Sequence, residues 1–257
     1  MRLSKTLPEA LKPCAGCRQG QFDRPLAMAF QPILDVTARS VFAFEALVRG
    51  PAGEPAGTIL KTVGPAELYA FDQACRVTAI ETAAELGLGV GPSDLSINFL
   101  PNAVYEPRAC IQATLRAAER SKFPTSKLIF EITEAELLSD PDHLTRIVQE
   151  YAAMGFRTAI DDFGAGYSNL NLLAKFRPDL VKFDMELVRG IDNDKRRRSI
   201  VGHCTAMCQE MGVTVVAEGV ETEKEFSALS DLGITLMQGY FFAKPAFRAL
   251  PTPYWAD

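Results

Sequence analysis

Histidine, tryptophan and cysteine are scarce in this chain, and each scarcity closes off a class of function. There are two histidines, His143 and His203, one tryptophan and six cysteines among 257 residues. The cysteines, at 14, 17, 75, 110, 204 and 208, are too sparse for a disulfide framework in a chain of this length. Cys14 and Cys17 form one Cys-x-x-Cys pair. No second pair follows at zinc-ribbon spacing, so the two read as reduced thiols in an N-terminal arm. Cys204 and Cys208 fall in a helical pattern and read as small core-facing residues. Positive charge is also short. The net charge of −5 leaves no global field for attracting nucleic acid. The run "DKRRRS" at 194–199 follows Asp192 and reads as a solvated helix start. No apolar run approaches the ~20 residues of a membrane span. The first twenty residues lack the apolar stretch of a signal peptide. The expectation is a cytoplasmic protein with no membrane span and no nucleic-acid polymer as partner.

What remains is an ordinary globular composition, 47% hydrophobic and 23% charged, with strand and helix patterns in alternation. "LAMAFQPILDV" (26–36) and "SVFAFEALVRG" (40–50) read as strands. Too little chain separates them for a helical crossover, so one is expected to run antiparallel. A Gly/Pro-rich loop (51–64) leads to a long helix (65–87). A strand (94–101), a helix (107–120) and a strand (127–133) follow. The helix at 140–155 has Asp140 as its cap and Pro141 in its first turn. Then come a strand (157–163), a short helix (168–176), a strand within 178–188 and a helix (194–212). A strand (213–220), a helix (222–232) and a last strand (234–242) complete the pattern. No linker or low-complexity segment divides it. Eight strands over roughly 230 residues predict an α/β fold, a (β/α)8 barrel of the TIM type with an irregular, antiparallel strand near its start. Residues 1–24 read as an arm, 25–250 as the domain, and 251–257 as a Pro-rich tail whose Trp255 packs against the barrel or a dimer partner.

Polar residues interrupt these strands at one recurring place. Glu45, Asn98, Glu131, Asp161 with Asp162, Lys182 with Asp184, Glu218 and Gln238 stand late in their strands, after apolar residues. The C-termini of all barrel strands open on one face, so these side chains converge there. Period-two alternation puts Lys182 and Asp184 on one face of their strand. Converging carboxylates repel, and an uncompensated buried charge is costly. One lysine does not balance five or six carboxylates. The oxygen donors of Asp, Glu and Asn suit hard divalent cations: magnesium, manganese or calcium. Asp161 ends its strand facing inward, while Asp162, at the turn, can swing to a neighbouring ion. Together they can serve two cations about 3.5–4 Å apart. The residues alone point to a metal-dependent phosphoryl hydrolase on a barrel.

The same residues lie in motifs that resemble a known family. "FQPI" (30–33), "EALVRG" (45–50), "SINFLP" (96–101), "FEITE" (130–134), "DDFGAGYSNL" (161–170), "VKFD" (181–184), "AEGVE" (217–221) and "QGYFFAKP" (238–245) occur in order. Together they are similar to the EAL domain family, bacterial phosphodiesterases of the second messenger cyclic di-GMP. The departures are mild: Phe30 and Asn169 stand where tyrosine and serine are common. The resemblance implies two-metal hydrolysis of cyclic di-GMP to linear pGpG. It implies magnesium or manganese as the cations, with calcium binding but not supporting turnover. Glu45, Asn98, Glu131 and Asp161 match the positions that hold the first ion. Asp161 bridges, Asp162 takes the second ion, and Glu218 is tied to the cluster. Lys182 matches the lysine that holds or helps activate the attacking water, with Gln238 and Asp184 supporting it. Arg49 resembles the arginine on a substrate phosphate. Gln31, Leu47 and Glu221 fall at substrate contacts. The loop with Phe163, Gly164 and Gly166 links the metal aspartates to a dimer interface in the family, braced by Glu134, so a homodimer is expected. Some relatives no longer hydrolyse and act as receptors of cyclic di-GMP or as protein-binding modules. That is the alternative function. Every metal and water position here carries its expected residue, which favours catalysis.

Overall fold

The computed structural model describes residues 22–101, 104, 106–133, 141–165, 170–175 and 177–256. The Cys14/Cys17 pair, Glu134 and Gly166 lie outside them. Strands and helices alternate along the chain. The strands are β1 (Ala27–Asp35), β2 (Ser40–Arg49), β3 (Asp94–Asn98), β4 (Leu128–Thr133), β5 (Arg157–Phe163), β6 (Leu180–Phe183), β7 (Thr214–Ala217), β8 (Leu236–Met237) and β9 (Ala246–Phe247). Between and around them lie α1 (Ala56–Leu60), α2 (Leu68–Glu85), α3 (Pro107–Cys110), α4 (Gln112–Arg120), α5 (Pro141–Ala153), α6 (Leu170–Lys175), α7 (Met185–Val188), α8 (Lys195–Glu210) and α9 (Glu223–Asp231). Among the described residues, no helix is long and apolar enough to cross a membrane.

The strands read as near-continuous apolar runs because both faces are covered. In β1 every residue but Asp35 is buried. The sheet runs in the order β2, β3, β4, β5, β6, β7, β8, β1, and pairing of β1 with β2 closes it into an eight-stranded barrel. Neighbours from β2 to β8 are parallel. β1 is antiparallel to both β2 and β8, which is the irregularity the short 36–39 connection predicts.

Residues two apart on a strand share a face. Ile33, Ala43, Ile129, Ala159, Leu180, Val216 and Leu236 pack together as one apolar cluster inside the barrel. Two positions nearer the C-terminal mouth stand Glu45, Glu131, Asp161, Lys182, Glu218 and Gln238. On the reversed β1 the equivalent step runs backwards, from Ile33 to Gln31, and Gln31 lies opposite Glu45 in the register. The barrel interior therefore changes from apolar to polar across a single layer. The apolar layer plugs the base and forces the polar layer toward the mouth.

Several elements differ from the sequence pattern. The last strand, expected over 234–242, is only Leu236–Met237. The chain turns at Gly239, where a Cβ would stand 2.0 Å from the Val220 carbonyl oxygen. It returns as β9, which pairs with Ala29 and Phe30 of β1. The helix expected over 107–120 is two pieces meeting at Ile111. The Gly/Pro-rich loop holds the short α1, which buries no residue and so leaves no periodic trace. Strand β6 stops at Phe183, so Asp184 does not share a strand face with Lys182. It caps α7 instead, accepting a hydrogen bond from the Glu186 amide at 2.7 Å.

Candidate active site

Backbone hydrogen bonds stitch successive strand exits together at the mouth. Phe99 donates to the Glu131 carbonyl, Asp184 to Phe163, Glu218 to Phe183 and Gln238 to Ala217, all at 2.8–3.1 Å. The side chains leaving these exits are thus fixed relative to one another.

Lys182 sits at their centre and is 1% exposed. Its Nζ lies 2.6 Å from Glu218, 3.0 Å from Glu131, 3.1 Å from Asp161 and 3.6 Å from Glu45. Burial disfavours its charge, but the four carboxylates outweigh that cost and hold the ammonium well above its ordinary range. The acids respond the other way. Burial, only partly offset by Lys182, pushes Glu131 up to about 8. Burial also drives Glu218 well above the usual carboxylate range. Desolvation, then the charges of Asp161 and Asp184, push Asp162 up to about 6. Glu45 is held at both oxygens: Gln238 Nε2 donates to Oε2 at 2.7 Å, and Asn98 Nδ2 donates to Oε1 at 3.2 Å. Among the described residues, Gln238 Oε1 has no hydrogen-bond partner, and Glu131 Oε2 and Asp161 Oδ1 have only the shared Lys182 ammonium beside them. A site built from oxygen donors with free lone pairs suits a hard cation.

Adjacent strand residues normally point to opposite faces, so two neighbouring aspartates do not ordinarily share a site. Here the β5–β6 register slips between Ile160 and Phe163, and Asp162 adopts φ +54°. A bulge with one residue in the left-handed region re-aims its side chain, and such backbone strain is characteristic of functional sites. Carboxylate oxygens of Asp161, Asp162 and Glu218 consequently come within 4.8 Å of one another. Next in the chain, Phe163 is buried against Phe183, with ring centroids 5.8 Å apart. Gly164 has φ +97°, and a Cβ there would stand 2.3 Å from Leu187. This is the tight turn that the glycine predicts.

A cavity of about 340 Å³ opens above the acids. Gln31, Glu45, Asp161, Asp162, Lys182, Asp184, Glu218, Glu221 and Gln238 line it, so most residues singled out in the sequence meet in one place. Two substrate-contact candidates stand apart. Leu47 lines a neighbouring apolar cavity with Asn98 and Thr133. Arg49 bonds the Val48 carbonyl at 2.8 Å rather than facing the acids. Gln31 donates to the Ala243 carbonyl at 3.1 Å. Glu221 is held by Arg189 through both oxygens, at 2.7 and 2.5 Å.

Sequence reasoning missed Ser96, whose hydroxyl donates to Glu131 Oε1 at 2.5 Å. The signal was present, because Ser96 lies two residues before Asn98 on the same face of β3. It also missed Arg189, and Tyr240 with Gly219 on the cavity wall.

Comparison with known proteins agrees with this fold. A standalone EAL protein from Vibrio cholerae O395, solved in its c-di-GMP-bound form, has a TM-score of 0.87 at 49% identity. The match covers 91% of this chain and 98% of that one. The cyclic di-GMP phosphodiesterase RocR of Pseudomonas aeruginosa is 33% identical over 166 residues, 65% of this chain and 41% of RocR. BluF of Escherichia coli, a blue light- and temperature-regulated antirepressor, is 31% identical over 229 residues, 89% of this chain and 56% of BluF. The chain thus spans about half the length of these curated relatives. The EAL domain pattern matches residues 18–245. By sequence and by fold, this chain belongs to the EAL domain family.

Proposed function

We propose that the chain is a metal-dependent phosphodiesterase that opens cyclic di-GMP to linear pGpG. The observation that carries this reading is the charge imbalance at the mouth. Five carboxylates, Glu45, Glu131, Asp161, Asp162 and Glu218, face one ammonium, Lys182. When all five are ionised, four negative charges remain, which two divalent cations would cancel while displacing the protons that Glu131, Glu218 and Asp162 otherwise retain. The donor set fits magnesium or manganese, with Glu45, Asn98, Glu131, Asp161, Asp162 and Glu218 as the holding residues. When bound, two such cations supply an activated water and neutralise charge on the phosphate.

The chain's own residues supply the rest. Lys182 orients the attacking water and stabilises negative charge that grows during attack. Gln238 fixes Glu45 and leaves its carbonyl oxygen free toward the same space. Asp184, at the end of β6, supports the water on the cavity wall. Arg49, freed from the Val48 carbonyl, presents a fork suited to two phosphate oxygens. Gln31, Leu47 and Glu221 contact the remainder of the substrate. The proposal also covers residues 25–250 as the catalytic domain, a homodimer coupled through the loop that begins at Phe163 and Gly164, and a cytoplasmic location.

The competing reading is a binding module that holds cyclic di-GMP without turnover. Similarity to an antirepressor favours it. Product analysis separates the two. Purified protein with cyclic di-GMP and magnesium or manganese is expected to give pGpG, and Glu45→Ala is expected to give none. Intact substrate bound tightly by wild type would establish the binding module instead.

A further inference from the structure

The geometry points to Ser96 as a positioning residue for cation binding, acting through Glu131. Ser96 is the β3 residue between Asp94 and Asn98 on the interior face, level with Glu45 in the β2–β3 register. Other strands present a carboxylate, an amide or an ammonium in this polar layer. β3 presents a hydroxyl, 1% exposed, whose hydrogen-bond partner is Glu131 Oε1 at 2.5 Å. Glu131 belongs to β4 and is also 1% exposed. A carboxylate that holds a cation is ionised and only accepts, so in that state the hydroxyl donates and the bond is charge-assisted.

That bond decides which way Glu131 faces. With Oε1 tied to Ser96, Oε2 is turned toward the cluster. It lies 3.0 Å from Lys182 Nζ, and among the described residues it has no partner besides that shared ammonium. A buried carboxylate with one oxygen anchored and the other presented is the arrangement by which a supporting residue orients a metal ligand. Without the hydroxyl, the buried Oε1 loses its donor. The carboxylate can then rotate, and every cation that binds must restore its orientation. A serine present only for packing would be matched by alanine at no cost to cation binding.

This inference rests on the acidic cluster being a cation site. Its test is Mn2+ affinity by calorimetry or by electron paramagnetic resonance on wild type, Ser96→Ala, Ser96→Thr, Glu131→Gln and the Ser96→Ala/Glu131→Gln double variant. Ser96→Ala is expected to weaken binding about ten- to hundredfold, the usual cost of losing such a supporting group. Ser96→Thr, which keeps the hydroxyl and suits a strand, is expected to restore most of it. In the Glu131→Gln background the Ser96→Ala effect is expected to vanish, because the two act as one unit. Unchanged affinity in Ser96→Ala, or an equal loss in the Glu131→Gln background, would overturn the proposal. Wild-type protein that binds no Mn2+ would instead sink the cation-site reading, and with it this one.

Discussion

Two clusters of buried charge lie in this barrel, and they are built on opposite rules. On α2, Asp72 and Arg76 form an ion pair at 2.7 Å with both side chains buried. Arg76 also donates to Thr114 of α4 at 2.9 Å and lies over the Phe99 ring at 5.3 Å. Asp72 accepts the Leu100 amide at 3.1 Å. One acid meets one base, and neither leaves a buried atom without a partner. At the mouth, five acids share one lysine, and among the described residues Gln238 Oε1 has no hydrogen-bond partner at all. Burying a charge is tolerable only when it is paired and bonded. The balanced cluster is therefore complete in itself and ties α2, α4 and the β3 exit together. The unbalanced one is complete only with a ligand.

The contrast can be broken most severely at the mouth. Glu45→Ala is expected to abolish pGpG formation while leaving the metal-free melting temperature no lower than wild type, because it removes a repelling charge. A large fall in that temperature would show the mouth acids to be structural. The reverse holds on α2. Arg76→Ala leaves Asp72 buried and unpaired, and is expected to cost about 3–5 kcal/mol in urea unfolding. Turnover per folded molecule should be retained. Arg76→Ala unfolding at the wild-type midpoint would remove the distinction from that side.

A pH series sharpens the comparison with a smaller effect. Glu131 titrates at about 8 in the folded chain, against 4.5 for an ordinary glutamate. The folded state thus binds this proton more tightly than the unfolded state. Its contribution to stability is full below the unfolded value and is lost as pH rises from about 4.5 to 8. A divalent cation takes over from the proton, so magnesium should raise the melting temperature more at pH 8 than at pH 6. An equal rise at both values would contradict this. The smallest effect belongs to exposed charge. Arg198 and Asp231 pair at 3.0 Å on the surface, and Arg198→Ala should change unfolding free energy by no more than about 0.5 kcal/mol.

The barrel is legible in the sequence because its strands are apolar runs and its polar layer recurs at one depth. Glu131 after "LIF" and Glu218 after "VTVVA" mark the mouth by residue order alone. The reversed β1 follows from the four-residue 36–39 connection, since β1 ends at Asp35 and β2 begins at Ser40. Other features are hidden for physical reasons. Residues 238–242 are as apolar and aromatic as a strand, but a backbone approach at Gly239 turns them aside. Asp184 alternates correctly with Lys182, yet the chain has already left the sheet to begin α7. The left-handed Asp162 has no compositional marker, because even aspartate, though enriched in that conformation, adopts it at a minority of positions. Ser96 escapes notice because a small hydroxyl in a strand looks like packing until its partner is known.

The reversed first strand has a further consequence, in how the barrel is wired to anything attached to it. Ala27 lies opposite Arg49, so the chain enters the barrel at the rim of the mouth. It leaves at the other end: the Ala256 carbonyl accepts a hydrogen bond from Arg39, in the turn between β1 and β2 at the base. The chain at residue 22 thus approaches from the face that carries the acidic cluster, and at residue 256 it lies on the opposite face. The same cargo, moved from one end to the other, would sit beside the acidic cluster or a full barrel length away from it.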